Sequence, residues 1–122
     1  MDAITKLYQN YPELETLDAK IKQALDALTA CFTGGGKLLL CGNGGSCADC
    51  EHIAGELMKG YLLKRPLTAE EKEALRAAGD TGALAQKLQR GLPSLVLTGL
   101  PALSSAFLND VDGAMTYAQQ AF

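Results

Sequence analysis

Two residues four apart, His52 and Glu56, are the pair in this sequence best suited to chemistry. On a helix they fall, with Asp49, on a stripe ~60° wide beside an apolar face of Cys50, Ile53, Ala54, Leu57 and Tyr61. An imidazole moves protons near neutral pH, and a carboxylate beside substrate carbon can take a C–H proton. The same pair could also hold a metal ion. An ordinary solvated ion-pair face would look alike, so position decides. The stripe begins one turn after Gly42-Asn43-Gly44-Gly45-Ser46. Such a loop lets backbone approach an anion, with helix amides pointing outward and the helix dipole favouring negative charge; Asn43 and Ser46 add side-chain donors. It could equally be a tight turn needing positive φ. It lacks the Lys-Ser/Thr ending of a P-loop and the spacing GxGxxG. Cys47-Ala48-Asp49-Cys50 is formally CxxC, but no second CxxC offers a four-thiolate site, and two small buried thiols are the expectation.

These residues need elements to hold them. Lys37-Leu38-Leu39-Leu40-Cys41 is a short apolar run between glycines, suited to a strand buried on both faces of a parallel sheet. A helix is predicted from Cys47 to about Tyr61, with Gly55 inside it at a cost of ~1 kcal/mol that marks close packing. Ser94-Leu95-Val96-Leu97-Thr98 is a second strand. Ahead of the first, Ile4 to Tyr11 reads as a short helix stopped by Pro12, and Leu14 to Phe32 as a longer one ended by Gly34-Gly35-Gly36. Between the strands, Leu62 to Leu92 carries six basic and four acidic residues, net +2 against −5 for the rest. Two helices, Glu70 to Ala78 and Thr81 to Arg90, are predicted there, the first opened by a Thr68/Glu71 capping box. Leu100 to Leu108 reads as helix, Asn109-Asp110 as a turn, and Ala114 to Phe122 as the start of another helix.

The 122 residues allow one domain, and 48% hydrophobic with 20% charged residues describes a chain that buries a core. A net charge of −3 argues against nucleic acid or an anionic membrane as partner. No apolar run reaches the ~18 residues of a membrane span, and the N-terminus lacks the order of a secretory signal. Four cysteines beside glycines and inside an apolar run read as reduced thiols in a cytoplasmic protein. Two parallel strands rarely stand alone, so a partner chain or further residues must complete the sheet.

Joined together, Leu38 to Ser46, Asp49-x-x-His52-x-x-x-Glu56-Leu57 and Arg65-Pro66 resemble the sugar isomerase (SIS) domain family, most of all its phosphoheptose isomerase subgroup. Leu92 to Thr98 and Leu103 to Asp110 resemble that subgroup's second strand and following helix. The resemblance implies an α/β fold, a flavodoxin-like three-layer sandwich with a parallel sheet. Residues 1–122 would be part of one such domain, with N-terminal helices over 1–33 and a helical insertion over 62–92. It implies aldose–ketose isomerisation of sedoheptulose 7-phosphate in heptose biosynthesis, by a homo-oligomer (dimer or tetramer). Carried over by position, Asn43, Gly44, Gly45, Ser46 and Asp110 would bind the phosphosugar, Glu56 and His52 would be catalytic, and both would ligate zinc in members that bind it. Non-catalytic relatives that bind phosphosugars or a replication initiator are the alternative. The family's Ser-Thr-Ser-Gly-Asn-Ser-like loop and second catalytic imidazole do not occur in these residues, so an inactive truncated fragment is also considered, and the 122 residues alone are expected to lack isomerase activity.

Overall fold

The computed structural model describes residues 2–122, in two compact units, one ending at Gly36 and one spanning Lys37–Phe122. In the first, the Asp2 carboxylate caps α1 (Ala3–Asn10) by accepting the Ile4 and Thr5 amides. The predicted start of the long helix at Leu14 is corrected: Pro12–Leu17 form a 3-10 helix, and α2 runs Asp18–Thr33. Leu17 at φ −104°, ψ 8° lies off the α-helical pair, so the i→i−4 ladder begins only at Asp18. The end of α2 is a Schellman motif, with Gly35 at φ 76° and the amides of Gly36 and Gly35 donating to the carbonyls of Cys31 and Phe32.

The second unit is α/β. Strand β1 (Leu38–Leu40) pairs in parallel with β2 (Ser94–Val96), Leu38 opposite Ser94 and Leu40 opposite Val96. Helix α3 (Gly45–Met58) packs on β2 through its buried Cys50 and Ala54, two small side chains that allow close approach. The strands are not buried on both faces as expected: Leu39 and Leu95, adjacent in register, are 40% and 53% exposed. Burial therefore alternates along β1 and marks one covered face.

The chain from 59 to 92 is an excursion whose two ends are tied together. Helix α3 stops at Met58, short of the predicted Tyr61: Lys59 turns extended, and the Gly60 backbone then runs so close to the Leu63 carbonyl that a Cβ would not fit. Tyr61 accordingly leaves the apolar face and is 75% exposed. Gly55 needs no close neighbour, since a Cβ there meets nothing within 4 Å, which corrects the packing expectation. The Thr68/Glu71 capping box forms and opens α4 (Ala69–Ala77). Helix α5 is only Ala83–Lys87, not Thr81 to Arg90. Asp80 takes the Leu84 and Ala85 amides at 3.0 and 2.9 Å and fixes its start, while extended Leu88 leads Gln89 into an antiparallel bridge with Pro66. After β2 come α6 (Pro101–Phe107), a π-helical turn Leu108–Asp112 where a simple turn at Asn109-Asp110 was predicted, a 3-10 turn Gly113–Met115 and α7 (Thr116–Ala121). No helix among the described residues is long and apolar enough to cross a membrane.

Candidate functional site

The loop between β1 and α3 is built from glycine geometry. A Cβ at Gly42 would stand 2.7 Å from the Ser46 carbonyl oxygen, and Gly44 holds φ 57°, ψ −124°, a conformation closed to other residues. The Ser46 and Cys47 amides donate to the Asn43 and Gly44 carbonyls at 3.2 and 3.1 Å. These two first-turn amides are therefore committed within the loop, which corrects the expectation that they point outward to an anion.

Beside the loop lies a cavity of about 720 Å³ where the chain leaves both parallel strands. Asn43 follows β1 and Thr98 follows β2; Ser104 and Ser105 come from α6, and Thr116 and Tyr117 from the start of α7. This is the position, outside the carboxyl ends of the strands, at which open α/β sheets take ligands. The Tyr117 hydroxyl lies 3.0 Å from the Gly42 carbonyl and 2.5 Å from Asn43 Oδ1. It pins the loop to α7, and with Asn43 Oδ1 engaged, the amide nitrogen of Asn43 is left as donor. The lining carries six polar side chains and no formal charge. Such a wall suits a polyhydroxylated ligand, which hydroxyls and amides recognise by hydrogen bonds.

Of the residues singled out in the sequence, Asn43 alone lines this cavity. Gly44, Gly45 and Ser46 shape the loop beside it. Asp110 sits exposed in the π-helical turn, not in the lining. His52 and Glu56 lie further along α3, outside it. Glu56 Oε1 is 3.3 Å from Lys59 Nζ, while Oε2 is buried with no hydrogen-bond partner among the described residues. A buried carboxylate oxygen without a partner is costly, and here it is the one such side-chain atom among the described residues. His52 is exposed. A catalytic zinc site takes three protein ligands. No group of three or more His, Cys, Asp or Glu side chains among the described residues could hold a metal, so His52 and Glu56 do not make a zinc site on their own.

The wall residues Thr98, Ser104, Ser105, Thr116 and Tyr117 were missed. Thr98 had a signal, as the counterpart after β2 of Asn43 after β1. Ser104 and Ser105 fall inside the Leu103 to Asp110 stretch that carries the resemblance, while Thr116 and Tyr117 had no signal. The cysteines spread differently from two buried thiols: Cys50 is buried, Cys47 is half-buried with its Sγ 3.1 Å from Thr98 Oγ1, and Cys41 is exposed. Burial pushes the Cys50 thiol up, as do the nearby Cys41, Cys47 and Asp49.

Residues 2–76 match the family described as SIS domain. The phosphoheptose isomerase of Laribacter hongkongensis is 44% identical over 71 residues, covering 58% of this chain and 34% of that protein. That of Desulfovibrio desulfuricans is 33% identical over 93 residues, 76% of this chain and 33% of the relative. That of Syntrophotalea carbinolica is 34% identical over 111 residues, 83% of this chain and 56% of the relative. The chain thus spans between a third and just over half the length of these curated relatives. The family match takes in the loop, His52 and Glu56, and stops before the cavity wall contributed by residues 98–117.

Proposed function

Since the chain belongs to the SIS domain family, as the match over residues 2–76 shows, we propose that it serves a phosphosugar isomerase and binds the sugar phosphate in the cavity at the strand ends. The finer reading is conversion of sedoheptulose 7-phosphate to D-glycero-D-manno-heptose 7-phosphate, supported by the relatives' printed names. In that reaction a base takes a proton from C1 of the ketose, an enediol forms, and the proton returns to C2 while the carbonyl moves from C2 to C1. Glu56 is the candidate base, with His52 one turn away as proton carrier to the oxygens. Zinc, where bound, would find two ligands in His52 and Glu56 and need a third from elsewhere, and no step here depends on it. A homo-oligomer is part of the proposal, supported by the exposed apolar run Tyr61-Leu62-Leu63. The four free thiols fit a reducing, cytoplasmic setting.

The observation that carries this reading is the loop pinned by Tyr117 beside a hydroxyl-lined cavity. Titrating the chain with sedoheptulose 7-phosphate by NMR should give saturable shifts at Asn43, Thr98 and Tyr117. Tyr117→Phe, which releases Asn43, should weaken binding roughly fivefold, the worth of about one hydrogen bond. No saturable shift at these positions would sink the proposal. Glu56 and His52 stand outside the lining, which favours binding without turnover by these 122 residues. Deuterium entering the sugar from heavy water, and lost in Glu56→Gln, would show instead that the chain is an isomerase by itself.

A further inference from the structure

The excursion between the strands has a cleft of its own, of about 270 Å³, between α4 and α5. Lys72 and Arg76, one turn apart on α4, line one side; Gly82 and Gln86 line the other, and Pro66 and Leu88 lie at its margin. It shares no lining residue with the cavity at the strand ends. The acidic groups nearby are already engaged. Glu71 accepts the Thr68 amide and pairs with Arg90 at 3.2 Å. Asp80 is held by the Leu84 and Ala85 amides. Arg76 keeps only Glu73, at 3.2 Å, with both side chains more than 60% exposed, a pair too solvated to hold the guanidinium against a better partner. Half-buried Lys72 has no ion pair among the described residues.

Two cations one turn apart on a cleft that an amide side chain also lines supply the kind of donors that a small tetrahedral oxyanion takes. We propose that residues 66–88 bind a phosphate group, free or as a small phosphomonoester, between Lys72, Arg76 and Gln86. The volume accepts a phosphate with a two- or three-carbon substituent. The site rests on the charges of this segment and not on the isomerase reading.

The test is an amide NMR titration of the whole chain with inorganic phosphate and, separately, glycerol 3-phosphate, each against potassium chloride at equal ionic strength. Saturable shifts are expected at Lys72, Arg76, Gly82 and Gln86 with phosphate and not with chloride. Tighter binding of glycerol 3-phosphate would identify the monoester as the preferred source, and equal binding the free ion. The double variant Lys72→Gln/Arg76→Gln should weaken binding at least about tenfold. Lys72→Arg should retain it. Shifts in the wild-type chain that rise linearly with salt, or saturable shifts unchanged in a folded double variant, would overturn the proposal. Shifts at Asn43 and Tyr117 report the other cavity in the same spectra, so the two sites fail or succeed separately.

Discussion

Replacing Arg65 by methionine should release the 59–92 excursion without unfolding α3. The Arg65 guanidinium donates from Nη2 to the Leu57 carbonyl at 2.5 Å and from Nε to the Arg90 carbonyl at 2.8 Å. Its backbone carbonyl accepts the Arg90 amide at 2.7 Å. Leu57 is in the last turn of α3, where carbonyls lack intrahelical partners and the helix dipole favours a cation. Methionine keeps the length of the stem and removes both donors. Leu57 retains the Leu92 amide at 2.9 Å, so its carbonyl is not orphaned, and the Arg90 carbonyl bond is exposed enough for water to replace it. The part-buried charged bond is worth about 1.5–3 kcal/mol and the exposed one about 0.5 kcal/mol, for a loss of roughly 2–3.5 kcal/mol confined to the ends of the excursion. In hydrogen exchange that is about 30- to 400-fold faster exchange at the Arg90 and Leu92 amides. Amides in the middle of α3 should change by less than about threefold. Lysine at 65 reaches one carbonyl but cannot fork to two, so Arg65→Lys should fall between. A rise below about threefold at Arg90 and Leu92, or an equal rise throughout α3, would refute the idea that Arg65 is what closes this segment.

Two further perturbations test the site and the excursion. Gly42→Ala drives a Cβ against the Ser46 backbone, which cannot swing aside as a side chain could. It should cost about 1–3 kcal/mol in urea denaturation and weaken sugar phosphate binding with it; unchanged stability would show the loop to be plastic. Asp80 is held below the usual carboxylate range, first by the Ala85 amide and then by that of Leu84. Its stabilising effect is fully present above its unfolded value of about 3.9 and is lost as pH falls through the lower folded value. The stability difference between wild type and Asp80→Asn should therefore be flat near neutrality and shrink below about pH 4; a difference that stays constant into stronger acid would refute the capping role.

How much of this was legible depends on whether the cause is local in the chain. The two apolar strands, the glycine loop and the Thr68/Glu71 capping box each depend on a handful of neighbouring residues, and each forms. Element ends were less legible because distant or unusual partners set them. Asp80 fixes α5 by taking amides four and five residues on, and the end of α3 is completed by Arg65 and Leu92. The cavity wall was least legible. Tyr117 reaches Asn43 across 74 residues, and no periodicity announces a single phenol that far away. That distance has a chemical consequence. With the Ser46 and Cys47 amides spent inside the loop, the glycine motif supplies shape, and the side-chain donor it contributes to the cavity lining is the Asn43 amide that Tyr117 orients. The cavity wall is thus drawn from the ends of β1 and β2 and from α6 and α7 together, and the polar groups that line it are side-chain hydroxyls and one side-chain amide.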